Sequence, residues 1–159
     1  MNLIEGISQY PVLATFFTAM LPIFELRGAL PVGVYLGLSH LDAFAISVIG
    51  NLVPVPFIII FIRRIFAWMK LHIPALDGFV ARLERKAEKQ RGFIHKWQLL
   101  GLFIFVAIPL PGTGAWTGAL IAALMDIRLK NAFPAIAGGV VVAGIIIFAI
   151  TYGITSLLA

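Results

Sequence analysis

Two of the four apolar blocks in this chain are broken at their centres by residues that a lipid-facing helix rarely tolerates. The first block, Tyr10 to Leu38, contains Pro22, Glu25, Arg27, Gly28 and Pro31. The third, Leu99 to Leu124, contains Pro109, Pro111, Gly112, Gly114 and Gly118. The second, Leu41 to Ile62, is long enough to span a bilayer at about 20 residues per crossing. The fourth, Ala132 to Leu157, is apolar throughout and rich in glycine and alanine. A broken block of this length is either one long kinked helix or a re-entrant hairpin, because two full spans need about 40 residues. In the hairpin reading the arms Tyr10–Phe24 and Ala29–Leu38 reach partway across. Their irregular tip must then be buried in protein or face a water-filled cavity.

Composition places this pattern in a membrane. The chain has 159 residues, 61% hydrophobic and 12% charged, against about 25% charged in ordinary soluble domains. That excess of apolar residues exceeds what a single core buries, and a bilayer supplies the missing solvent. Nine of the twelve basic residues lie between Arg63 and Lys96, beside apolar runs. They fit contact with anionic headgroups on the cytoplasmic side better than a nucleic-acid face. With both broken blocks re-entrant, Arg128 and Lys130 also fall in the cytoplasm, and the Ser39–Asp42 joint falls outside. The absence of cysteine excludes disulfides, thiolate catalysis and cysteine metal sites. Glu5 stands where a signal peptide carries a basic n-region, so the first block is expected to stay in the mature protein.

A shift of 89 residues puts Pro22 on Pro111, Ala43-Phe44 on Ala132-Phe133 and Gly50 on Gly139. Each half then reads as a broken block followed by a full span. The expected fold is an all-α integral membrane protein with an inverted repeat of re-entrant hairpin plus transmembrane helix. Its single domain divides into repeat one (10–62), a connector (63–97) and repeat two (98–157). Within the connector, Leu76, Phe79, Val80, Leu83 and Ala87 recur at helical spacing opposite Arg82, Arg85, Lys86 and Lys89. This predicts an amphipathic helix on the cytoplasmic surface.

A charge at bilayer depth is costly and usually serves a purpose. Arg27 presents a planar fork suited to phosphate or carboxylate, and Glu25 is suited to bind a proton or a cation. A break at the tip lets the two converge, or lets each meet a partner from the other half. They could equally neutralise each other and lock the tip. Gly28 and Pro31 complete this motif. The second motif, Pro109-Leu-Pro111-Gly112-Thr113-Gly114-Ala-Trp116-Thr117, exposes backbone groups and two hydroxyls, with a helix expected to start near Ala115. Its N-terminus welcomes an anion. Asn51, with Pro54 and Pro56 nearby, is a polar group at membrane depth and a third candidate. Ala135, Gly139 and Ala143 form a small-residue packing stripe. His40, His72 and His95 stand singly without metal-ligand spacing, and no catalytic constellation is present. No cofactor is expected.

The Glu25-Leu-Arg27-Gly28-Ala-Leu-Pro31 and Pro109-Leu-Pro111-Gly112-Thr113-Gly114 motifs, with the paired halves, resemble the small multidrug export proteins. That family is similar to the wider DedA/VTT superfamily of membrane proteins with two facing re-entrant loops. The resemblance implies proton-linked transport or flipping of lipids such as the polyprenyl phosphate carrier, with Glu25 and Arg27 as the functional charges. The chain departs from the DedA pattern in having no arginine or acid between Leu99 and Leu124. The leading expectation is a proton-coupled transporter or flippase for a substrate with an anionic headgroup, such as a lipid phosphate. Efflux of small cationic drugs and a non-transporting membrane scaffold are the alternatives. The expected setting is a prokaryotic inner membrane, with lipids, protons and a second copy of the chain as partners.

Overall fold

The computed structural model describes residues 10–72, 78, 81, 82, 85, 97–110 and 112–153. Most of the connector helix expected over 76–92 lies outside them, as does Pro111. Among the described residues the chain is all-helical. Proline and glycine decide where its helices stop.

Each broken block folds as two short helices. Helix α1 (Pro11–Met20) opens on a proline, whose missing N–H matters least in a first turn, and it ends before Pro22. Helix α2 (Glu25–Tyr35) starts on an acid, which the helix dipole favours there. The arms of the second block are α5 (Gln98–Ala107) and α6 (Ala115–Leu124). Arms of 10 or 11 residues are about 15–17 Å long, roughly half a hydrocarbon core. The break in the first block falls four residues earlier than expected. Glu25 to Gly28 belong to the second arm rather than to an irregular tip, because only residues 21–24 leave the helical path.

Between and after these arms run the long helices. Helix α3 (His40–Leu52) is capped by Ser39, whose hydroxyl accepts from the Asp42 N–H at 3.1 Å. It passes through Val53 into α4 (Pro54–His72), ten residues beyond the end of the apolar block. Helix α7 (Leu129–Phe148) closes in a π-helical turn, Ala149–Gly153. Two runs, His40–Ile62 and Leu129–Gly153, have 23 and 25 residues and are apolar enough to cross a membrane. Phe17, Ile49, Phe57, Ile60, Ile104 and Ile145 are exposed on the outer faces. Apolar surface of this extent suits lipid rather than water.

The halves keep a common register. Helices α3 and α7 begin 89 residues apart, each after a matching turn. Before α3, the Leu38 N–H bonds the Gly33 carbonyl at 3.0 Å, with Gly37 at φ +94. Before α7, the Ile127 N–H bonds the Ala122 carbonyl at 2.9 Å, with Asp126 at φ +59. Both are helix closures through a left-handed residue. The first arms are offset by 87 residues instead, so the second tip carries two extra residues.

Each long helix meets its first arm through a glycine. A Cβ on Gly50 would lie 2.6 Å from the Phe16 carbonyl oxygen, and one on Gly139 would lie 2.8 Å from that of Phe103. The second arms differ in their placement. Helix α2 packs on α1 and α3, within its own half, whereas the chief partner of α6 is α4 of the other half. Val55, Ile58 and Ile59 share one buried cluster with Ala115, Ala119 and Ala122.

Candidate functional site

The helices α2 and α6 begin against each other. Glu25 (φ +45) and Gly114 (φ +147), 89 residues apart, both sit in backbone conformations that side chains rarely adopt. The first N–H groups of a helix have no partner within it. Here the Trp116 N–H, in the first turn of α6, donates to Glu25 Oε1 at 3.2 Å. A Cβ on Gly114 would lie 2.8 Å from Glu25 Cδ and closer still to Oε2, so the buried carboxylate fills the space that glycine leaves open. The helix N-terminus read as an anion site thus holds an anion from the chain itself.

A second pair of equivalent residues completes the contact. Arg27 Nη2 donates to the Thr113 carbonyl, and Trp116 Nε1 donates to the Met20 carbonyl at 3.0 Å. Arg27 and Trp116 are also 89 residues apart, so each second arm reaches back to the tip of the opposite hairpin. Of the arrangements open to Glu25 and Arg27, the structure has the one in which each meets the other half.

The remaining candidates divide between the site and its frame. The Thr113 hydroxyl does not face the partner hairpin. It donates to the Ile108 carbonyl at 2.6 Å and accepts from the Leu110 N–H at 3.1 Å, because the turn offers these groups nearby. Of the backbone groups and hydroxyls expected at this tip, it is the Thr113 carbonyl that meets the other half. Gly112 is exposed at φ +85 and serves the same turn. Gly28 packs on Phe24, and Pro31 lies inside α2, where it leaves the Arg27 carbonyl without its helical donor. Thr117 is half-buried on α6.

Asn51 is 2% exposed and is the central residue of the 23-residue span, so it lies near the midplane of any bilayer that span crosses. With Glu25, Arg27, Pro109 and Gly114 it lines a cavity of about 10 Å³. That is close to the least space that admits one water. Among the described residues no cluster of three or more His, Asp or Glu could hold a metal ion.

A family model described as "Putative small multi-drug export protein" matches residues 25–146. The chain belongs to this family. No curated protein and no solved structure proved similar to it. The stretch shared with the small multi-drug export family begins at Glu25 and takes in Arg27, Asn51 and the whole second hairpin. It leaves out α1 and Met20. The family name and the apolar helices make this a membrane protein of the export type.

Sequence reading misses two parts of the site. The Met20 carbonyl carries no residue-type signal. Val140, on the cavity wall, is within reach of the repeat, since it lies 89 residues from Asn51.

Proposed function

We propose that the chain exports small organic cations in exchange for protons, with the two hairpin tips as its gate and Glu25 as the exchanging group. One observation carries this reading: a buried carboxylate sits on the α6 N-terminus, beside a cavity near mid-span. A proton or a cation that takes Glu25 weakens its charge-assisted bond to the Trp116 N–H. Among the described residues, the hydrogen bonds that still join the tips are those of the Arg27 and Trp116 side chains. A cavity with room for one water corresponds to the closed state.

In this reading both broken blocks are re-entrant and enter from opposite leaflets of the inner membrane, with residues 63–97 in the cytoplasm. The half-length arms and the shared register support it. So does the contact between Glu25 and Gly114, since a twofold relation brings equivalent residues together at its axis. The chain has no cysteine, so single cysteines report topology without background. Ser39→Cys and Arg128→Cys are expected to react with an impermeant maleimide from opposite sides of the membrane. Labelling of both from one side rules out the opposed hairpins.

A second reading, movement of a lipid phosphate, draws on Arg27, which lines the cavity and whose guanidinium has more donors than the Thr113 carbonyl uses. The family name favours small molecules, and Glu25 already occupies the α6 N-terminus. Reconstituted liposomes decide between the two. With a pH gradient, wild-type protein should move ethidium, and Glu25→Gln should reduce that movement to the rate of empty liposomes. Unchanged transport in Glu25→Gln refutes the proposal. Movement of fluorescent polyprenyl phosphate alone, lost in Arg27→Ala, establishes the second reading. Movement of neither probe leaves the scaffold role.

A further inference from the structure

The cavity between the tips has one wall without a partner. Asn51 Oδ1 is buried and accepts no hydrogen bond, although buried carbonyl oxygens are nearly always paired. The other residues with polar side chains on the lining are Glu25 and Arg27. Elsewhere the wall is hydrocarbon and backbone, with Val140 standing opposite in the repeat. The space, about 10 Å³, suits one water-sized occupant.

The chemistry of the lining selects that occupant. Asn51 Oδ1 and Glu25 accept, and Arg27 donates. A water donates to the first two and accepts from the third, which gives it the three hydrogen bonds typical of a buried water. Charge points the same way. Glu25 and Arg27 balance each other, so a neutral guest adds no net charge at membrane depth, where an ion would. Ser47 also lacks a partner, but it does not line this cavity.

We infer that one water molecule is held between Asn51, Glu25 and Arg27, and that Glu25 gains and loses its proton through it, with Asn51 as the positioning residue. This rests on Glu25 being the exchanging group. In the loading step a hydronium takes the place of this water. One of its O–H bonds breaks as an O–H bond forms on a Glu25 oxygen, and the neutral water left behind stays on Asn51. Arg27 is the one other charged or titratable group facing the cavity among the described residues. The linings contributed by α3, α5, α6 and α7 present none.

The test uses the full chain in liposomes, with Asn51→Leu, which removes the acceptor at similar volume, and Asn51→Ser, which keeps an oxygen. Asn51→Leu should slow ethidium movement driven by a pH gradient by up to about tenfold, the effect of losing one neutral hydrogen bond. It should slow gradient-driven movement more than it slows ethidium–ethidium counterflow at equal pH, and Asn51→Ser should recover gradient-driven movement. Equal loss in both assays reduces Asn51 to a packing role and overturns the inference; so does loss in neither. A second readout is independent of transport. The infrared C=O band of protonated Glu25, identified by its absence in Glu25→Gln, should shift in Asn51→Leu and return in Asn51→Ser. An unshifted band overturns the inference. A shifted band without any ethidium movement upholds the water and refutes the export reading instead.

Discussion

Gly114→Ala is expected to abolish transport as completely as loss of the Glu25 carboxylate. The new methyl would occupy the space that the carboxylate fills, so the carboxylate must leave it. Gly114 also sits at φ +147 and ψ −170, a region open essentially to glycine alone, so alanine adds about 1–3 kcal/mol of backbone strain. Expelled from its seat, Glu25 loses the Trp116 N–H, and the α6 N-terminus loses its anion. A double-mutant cycle separates the two costs. On a Glu25→Ala background, which vacates the space, Gly114→Ala should cost stability through strain but take nothing more from transport. Wild-type ethidium movement in Gly114→Ala would show that the seat is irrelevant to export.

The second large effect concerns stability. Gly139→Val should lower the thermal midpoint in detergent by several degrees, because overpacking a tight contact costs about 1–3 kcal/mol. The added Cβ would lie 2.7 Å from Val106 Cβ and 2.8 Å from the Phe103 carbonyl, and a backbone carbonyl cannot rotate away. Helix α5 must move off α7. Gly50→Val should do the same to α1 and α3, where the new Cβ would come within 2.6 Å of the Phe16 carbonyl oxygen. Unchanged midpoints in both variants would mean that these helices do not rely on glycine for their approach.

Much of this frame is legible in the sequence because apolar length and helix breakers leave marks that residue types record. Pro22 and Pro109 mark the breaks, Ala115 marks the restart, and the match of Gly50 with Gly139 anticipates a shared packing device. Legibility ends where hydropathy does. Hydropathy closes the second block at Ile62, yet α4 continues through Arg63, Arg64 and Lys70 to His72, since helical hydrogen bonding does not need apolar side chains. The two extra residues of the second tip are hidden too, because the match of Pro22 with Pro111 holds the 89-residue alignment in place while the first arms slip to 87. Partners such as the Trp116 N–H and the Met20 carbonyl belong to the backbone, which every residue carries alike. Only folding distinguishes them.

The exchange of α6 onto α4 ties the machine together in a particular way. A hairpin whose two legs stand on different foundations cannot travel with either one alone. Any rocking of one half against the other must therefore stretch the turn between Ile108 and Gly114. That turn also holds the carbonyl gripped by Arg27 and the glycine seat of Glu25. In the proposed exchange, mechanical strain and the release of the bound charge would act on the same few residues, so a motion of whole helices would be felt first at the latch.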